Sequence, residues 1–210
     1  ATLEILGLKY PHEREPVLMA ALADAKKCLD PTRSGIEITF DASFPINETF
    51  ATSVGLEPYY DVDTMIHDRL HTVPSAIKWD VIPATQGDNP ALYDVLVDAF
   101  RDNLDTSIAP YEEWSKVHRE GMWLIKNNGA IVGFSHCLIS DGTGEIRSIG
   151  VIPSMRGQGI AFDLMTHALH DLCRKGISQC HLSVAATNQQ ALRLYRQLGF
   201  RKTEQYSVYK

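Results

Sequence analysis

A strand-like run, a loop with two closely spaced glycines and an amphipathic helix follow one another between residues 144 and 175. The run 144–152 is rich in β-branched residues, and Gly157 and Gly159 precede apolar residues at helical spacing. Glycines leave the backbone N–H groups accessible, and the first N–H groups of a helix have no intrahelical partner. The segment therefore predicts an anion-binding site at the N-terminus of a helix.

Two familiar phosphate-binding motifs do not fit this loop. A P-loop requires Gly-Lys-Ser/Thr, which the segment lacks, and Phe162 stands where a dinucleotide-binding GxGxxG motif has its third glycine. The loop alone therefore does not decide which anion is bound.

The elements around the loop predict a mixed α/β domain. Asn89 is predicted to cap a first helix that continues to about residue 103, and Asn128-Gly129 is predicted to form a hairpin turn between two strands. Gly176 and Gly199 are expected to end two later helices. The further predicted elements are a helix at 111–119, strands at 122–126, 130–139, 144–152 and 178–184, helices at 158–175 and 188–198, and a final strand. Residues 80–210 thus run β-α-α-β-β-β-α-β-α-β, which indicates an α/β fold with a mixed sheet.

The N-terminal part of the chain resembles its own C-terminal end. Residues 35–65 and 179–209 both read as strand, helix, glycine and strand, and one offset places Gly55 on Gly199. We therefore predict two domains, a degenerate half-domain at 1–75 without a glycine loop and a complete domain at 76–210. Chance similarity of two strand-helix-strand units is the alternative.

The segment IGVIPSMRGQGIA (149–161) resembles the acetyl-CoA loop of the GCN5-related N-acetyltransferase (GNAT) family. In that family a strand ending in V-x-P leads to R/Q-x-x-G-x-G/A, and Arg156, Gly159 and Ala161 fill this pattern. The segment NQQALRLYRQLGF (188–200) adds to the resemblance, which covers residues 79–210. It implies a GNAT fold, preceded here by a partial βαβαβ unit, with acetyl-CoA as co-substrate and no metal.

The resemblance also implies which residues bind the co-substrate. They are Ile149, Gly150, Val151, Arg156, Gly157, Gln158, Gly159, Ile160, Ala161, Asn188 and Tyr195. Gly150 is expected to accommodate a β-bulge that separates its strand from the next one. Asn188 either caps the following helix or contacts the pantetheine arm, and Arg156 either contacts phosphate or is an ordinary loop arginine.

Two catalytic roles follow from the resemblance. Tyr195 is implied to protonate the departing thiolate, with a core-packing tyrosine as the alternative. The amine must lose a proton before it attacks, so a base is expected. Glu145 is the first candidate and His136 the second, and for each a structural role is the alternative.

Three histidines have a spacing that would allow zinc. His167 and His170 lie three residues apart on one predicted helix, and His181 lies on the adjacent strand. No carboxylate or thiol completes a ligand set, so we expect no metal. The four scattered cysteines indicate reduced thiols in a cytoplasmic protein.

The negative charge of the chain is concentrated at its N-terminal end. Residues 1–75 hold 6 basic and 12 acidic side chains, whereas the remaining residues hold 14 of each. This distribution is unfavourable for nucleic acid and favours a cationic substrate, with Asp41 and the acidic side chains of 57–63 as a rim that attracts an amine. No membrane segment is predicted.

We therefore expect an enzyme that transfers an acetyl group from acetyl-CoA to a primary amine on a small cationic acceptor. The transfer would be a direct attack in a ternary complex, and the expected partners are a small molecule and a second copy in a homodimer. A non-catalytic acyl-CoA-binding module and a protein or peptide N-acetyltransferase are the alternatives.

Overall fold

A computed structural model of the chain describes residues 2–4, 37–39, 55, 57–73, 77–101, 108–116 and 120–209. The chain divides into two compact units. The first comprises residues 1–63, 185–187 and 204–210, and the second comprises residues 64–184 and 188–203.

Nine strands and four α-helices lie in the described residues. The strands are β1 (Thr2–Glu4), β2 (Glu37–Thr39), β3 (Pro58–His67), β4 (Val81–Pro83), β5 (Met122–Asn127), β6 (Ala130–Ser140), β7 (Thr143–Val151), β8 (Cys180–Ala185) and β9 (Arg201–Tyr209). The helices are α1 (Asn89–Phe100), α2 (Tyr111–Trp114), α3 (Ile160–Arg174) and α4 (Gln189–Gln197). None of the described helices is long and apolar enough to cross a membrane.

The second unit is built on a mixed sheet. Its described strands or strand ends are ordered β9-β3-β8-β7-β6-β5-β4. Strands β4 to β7 are antiparallel neighbours, whereas β7 and β8 are parallel. The mixed α/β fold is therefore confirmed. In the first unit, β1 pairs with β2 in parallel, and β2 pairs with the end of β9 in antiparallel fashion.

The predicted turns are confirmed where glycine permits a left-handed backbone. Asn128 and Gly129 have φ of 50° and 82°, which gives the tight hairpin between β5 and β6. Gly176 has φ of 79° and follows the end of α3, where its N–H donates to the carbonyl of Cys173. The prediction for Asn89 was wrong, because Asp88 precedes the helix and the buried Asn89 is its first residue.

Helices α1 and α3 pack through separate hydrophobic clusters. Leu92 and Leu96 of α1 pack with Leu124 and Phe134 of β5 and β6. On α3, the apolar residues at helical spacing divide between two other clusters, in which Leu164 packs with Val132 and Leu172 packs with Leu182. The periodicity of α3 thus predicts which of its residues are buried.

Strand β3 contributes to the second unit although it precedes residue 75. Its C-terminal residues lie between β8 and β9, where the Thr203 hydroxyl donates to the Thr64 carbonyl at 3.1 Å. Met65 and Leu70 belong to the largest buried cluster of that unit. The compact units are therefore bounded differently from the predicted domains 1–75 and 76–210. Residues 5–36 and 40–54 lie outside the described residues, so the half-repeat stays a prediction.

Candidate active site

The glycine loop leads directly into the N-terminus of α3. After a 3-10 turn at Pro153–Met155, Gly157 and Gly159 have φ of 78° and 84°, a conformation that strains any residue with a Cβ. A Cβ built at either glycine has no heavy atom within 4 Å, so both face open space. The predicted accessibility of this backbone is therefore confirmed.

Helix α3 presents amide groups beside these glycines. Gly159 precedes the helix, and the N–H of Asp163 is the first to donate back, to the Gly159 carbonyl at 3.0 Å. The N–H groups of residues 160–162 therefore precede the first intrahelical hydrogen bond, at the positive end of the helix dipole. This arrangement is favourable for a phosphate or pyrophosphate group.

The carboxylate of Asp163, which was not identified from the sequence, helps to hold the glycine loop in place. Asp163 is only 3% exposed, and its Oδ2 accepts hydrogen bonds from the N–H groups of Lys78 and Trp79, both at 2.8 Å. The indole N–H of Trp79 then donates to the Gln158 carbonyl at 3.2 Å. An acidic residue in the first helical turn was the available signal, but its partners lie more than 80 residues away.

Arg156 ties the loop to two neighbouring elements. Its Nε donates to the Val151 carbonyl at 3.2 Å, and its guanidinium also donates to the Ala99 carbonyl of α1 at 2.9 Å. The residue is nevertheless exposed and lines the cavity described below. It therefore holds the loop in place and leaves positive charge at the surface that the loop forms.

Strands β7 and β8 separate beside the loop. They pair at Gly144–Cys180, Glu145–His181 and Ile146–Leu182, and no further pair joins these two described strands. A register shift of β7 against β6 leaves Arg147 as an extra residue, which is a β-bulge. The sheet therefore opens immediately after the bulge.

The bulge lies at Arg147 and not at Gly150, where the sequence analysis expected it. A Cβ at Gly150 would lie 2.6 Å from a ring carbon of Phe134 and 3.0 Å from the Cβ of Ala99. Gly150 is therefore needed for close packing between β7, β6 and α1.

The open edge of β7 carries unpaired amides at the predicted positions. The N–H of Ile152 donates to the Val132 carbonyl of β6 at 3.1 Å. Because backbone groups alternate between the two edges of a strand, the N–H groups of Ile149 and Val151 point away from β6, towards the opening.

One cavity of about 840 Å³ joins the loop, this opening and α4. It lies entirely within the second unit. Of the predicted co-substrate residues, those that line it are Ile149, Gly150, Val151, Arg156, Gly157, Gly159, Ile160, Ala161, Asn188 and Tyr195. Gln158 is not among the lining residues, and its carbonyl accepts a hydrogen bond from the indole N–H of Trp79.

Two predicted residues lie on or next to α4. The side chain of Asn188 accepts a hydrogen bond from the N–H of Ala191 at 3.1 Å, so its capping role is confirmed. Tyr195 is 6% exposed, lines the cavity and lies with its ring centroid 6.0 Å from that of Phe200. Tyr195 is therefore both a core residue and a cavity residue.

The two candidate bases are placed differently. Glu145 is not among the residues that line the cavity, and its carboxylate forms an ion pair with Arg147 at 3.3 Å. His136 is buried on β6 opposite Ser148, and both residues line the cavity. The structure thus brings the second candidate, and not the first, to the same cavity as Tyr195.

His167 and His170 both contact neighbouring residues. The ring of His167 lies 4.2 Å from that of Trp123, and burial lowers the pKa of His167. A nitrogen of His170 lies 3.2 Å from the Val73 carbonyl. Among the residues that the structure describes, no cluster of three or more histidine, cysteine or acidic side chains could hold a metal ion.

The described cysteines lie outside the cavity lining. Cys137, Cys173 and Cys180 are free thiols, and Cys28 lies outside the described residues. A hydrogen bond with the Cys137 thiol, together with burial, raises the pKa of Cys180. A thiolate nucleophile is therefore disfavoured at Cys180.

A family model of acetyltransferases, the GNAT family, matches residues 89–200. This match covers more than half of the chain. The chain belongs to the GNAT acetyltransferase family. The matched residues include the glycine loop, the open edge of β7 and Tyr195, so the family match and the cavity coincide.

Known acetyltransferases are similar to parts of this chain. Mycothiol acetyltransferase of Thermomonospora curvata is 37% identical over 81 residues, which cover 38% of this chain and 27% of that protein. Mycothiol acetyltransferase of Streptomyces avermitilis is 32% identical over 92 residues, covering 43% of this chain and 30% of that protein. The matched segment thus spans less than a third of either relative.

A solved structure is similar over nearly the whole chain. The GCN5-related N-acetyltransferase of Sphaerobacter thermophilus superposes with a TM-score of 0.78 at 25% identity, covering 99% of this chain and 72% of that one. The likeness confirms the mixed α/β fold of GNAT structures for this chain, whereas the partial N-terminal unit stays a prediction.

Proposed function

We propose that this GNAT protein transfers an acetyl group from acetyl-CoA to a primary amine of a small molecule. The observation that carries the proposal is that the glycine loop, the open edge of β7 and Tyr195 line one and the same cavity. The mycothiol acetyltransferases support it, because their name describes acetyl transfer to a small molecule.

The residues of the cavity fit coenzyme A in two places. The open space at Gly157 and Gly159, next to the amides of residues 160–162, suits a pyrophosphate. The gap between β7 and β8 suits an extended arm, and the N–H groups of Ile149 and Val151 are available to bind it. Asn188 keeps its amide NH₂ for the same purpose, since its oxygen already caps α4.

The bound thioester supplies the acetyl group, and the protein supplies binding and proton transfer. An N–H group of the β7 edge donates a hydrogen bond to the thioester oxygen and stabilises the charge that develops there. His136 accepts the proton that the attacking nitrogen loses, and Tyr195 donates a proton to the departing sulfur. One C–N bond forms and one C–S bond breaks, with no covalent bond to the enzyme.

We expect purified protein to release free thiol from acetyl-CoA only when a primary amine is added, with an equal amount of N-acetylated amine by mass spectrometry. The matching tertiary amines serve as controls, because they cannot form a stable amide. The panel also includes small amines and peptides with free N-termini. If the protein binds acetyl-CoA but acetylates none of them, it is a non-catalytic acyl-CoA-binding module. Transfer to peptides alone would indicate a peptide N-acetyltransferase.

A further inference from the structure

The cavity has a second wall that the proposed co-substrate does not use. The loop, the edge of β7 and α4 are assigned to acetyl-CoA above. The remaining wall comes from α1, the segment 108–114, β5 and β6, and its apolar members include Leu96, Phe100, Ile108, Trp114, Met122 and Phe134. In the proposed reaction this wall is left for the acceptor.

Aromatic contacts hold this wall in place. The rings of Phe100 and Phe134 lie 6.2 Å apart, and Trp114 lies 5.3 Å from Tyr93 of α1, measured between centroids. Tyr93 in turn donates from its hydroxyl to the Ala109 carbonyl at 3.0 Å. The apolar surface is therefore formed before an acceptor arrives, which reduces the entropy lost on binding.

The charges of the cavity are unfavourable for a second cation. Among the described lining residues there is no carboxylate, and the permanently charged side chains are Arg147 and Arg156. The sequence predicts an amine-attracting rim formed by Asp41 and the acidic side chains of 57–63. The acidic side chains described within 57–63 do not line the cavity, and Asp41 lies outside the described residues. Arg147 is already paired with Glu145 and Arg156 belongs to the loop, so neither offers a partner to a cation, and an ammonium group buried without a partner is strongly disfavoured.

We propose that the acceptor is a primary amine on an apolar body that carries no second positive charge. This inference rests on the proposed acetyl transfer and replaces the cationic acceptor expected from the charge distribution of the sequence. The apolar body packs against the aromatic wall, and the amino group points towards His136 and the edge of β7.

The test compares heptylamine with 1,6-diaminohexane, which has the same length but a terminal ammonium in place of a methyl group. We expect kcat/KM to be at least about tenfold higher for heptylamine, because the wall accommodates a methyl group and its described residues include no carboxylate that could pair with a cation. From propylamine to heptylamine, kcat/KM should rise by about two- to fourfold per methylene. Equal or better use of the diamine overturns the inference while leaving the acetyltransferase activity established.

A carboxylate placed in the wall should change the preference. Leu138 lines the cavity, so Leu138→Glu is expected to raise the use of 1,6-diaminohexane relative to heptylamine. Ile139→Glu is the matched control, because Ile139 is the next residue of β6, is 44% exposed and does not line the cavity. If Leu138→Glu does not fold, the ratio measured with the wild-type protein decides the question alone.

A binding measurement separates this inference from the proposed function. In the presence of coenzyme A, heptylamine should raise the thermal midpoint of the protein more than 1,6-diaminohexane does. If heptylamine raises the midpoint more but neither amine is acetylated, the apolar acceptor wall is supported and the proposed reaction is contradicted. If neither amine is acetylated and neither raises the midpoint, the inference is overturned as well.

Discussion

Replacing Tyr195 with phenylalanine is expected to lower kcat by about 10²- to 10⁴-fold, the usual contribution of a general acid. The phenyl ring keeps the contact with Phe200 and fills the same buried volume, so the fold should persist. Affinity for acetyl-CoA should stay within about threefold, because a single neutral hydrogen bond contributes little net free energy. Initial rates of thiol release and calorimetric titration measure the two quantities separately.

Tyr59→Phe is the matched control for this change. Tyr59 is 38% exposed and does not line the cavity, so removal of its hydroxyl should leave kcat unchanged. If the Tyr195 variant turns over within twofold of the wild-type rate, Tyr195 is a packing residue and another group protonates the sulfur.

Replacing Asp163 with alanine is expected to lower the free energy of unfolding by about 3 kcal/mol, since two hydrogen bonds to a buried charged acceptor are lost. For a chain of this size the thermal midpoint should fall by roughly 6–12 °C. The affinity for acetyl-CoA should fall too, because Asp163 positions the segment 78–79 that holds the Gln158 carbonyl. Thermal melting and calorimetry check both effects.

Asp171→Ala provides the comparison on the same helix. Asp171 forms local ion pairs with Arg174 and Lys175, whose side chains are 61% and 40% exposed. Such pairs contribute about 1 kcal/mol or less, so this variant should melt close to the wild-type protein. Equal destabilisation of the two variants would show that Asp163 has no special structural role.

Features encoded by neighbouring residues were predictable from the sequence. The hairpin turn at Asn128-Gly129, the glycine that ends α3 and the positive φ of Gly157 and Gly159 each follow from which residues tolerate a left-handed backbone. The buried stripe of α3 follows from its periodicity. The loop and the order of elements in the second unit could therefore be predicted.

Features that depend on pairing between distant segments were not predictable. Nothing in residues 58–67 indicates that β3 ends between β8 and β9. The position of the bulge at Arg147 depends on the register of β7 against β6, which is set by pairing between the two strands and not by the local sequence. A single residue of shift changes the face on which each side chain lies, so the strand alone does not identify the base.

The central claim, that the glycine loop binds the pyrophosphate of acetyl-CoA, is tested by calorimetric titration with acetyl-CoA and with S-acetylpantetheine. Acetylpantetheine lacks the pyrophosphate together with the 3′-phosphoadenosine, so the wild-type protein should bind acetyl-CoA about 100-fold or more tightly than acetylpantetheine, and a variant of the loop isolates the contribution of the pyrophosphate. Gly159→Ala, which places a Cβ in the open space of the loop and strains its left-handed backbone, should weaken acetyl-CoA binding and leave acetylpantetheine binding unchanged, since acetylpantetheine does not reach the loop. Equal affinities for the two ligands, or equal losses in the variant, would contradict the claim.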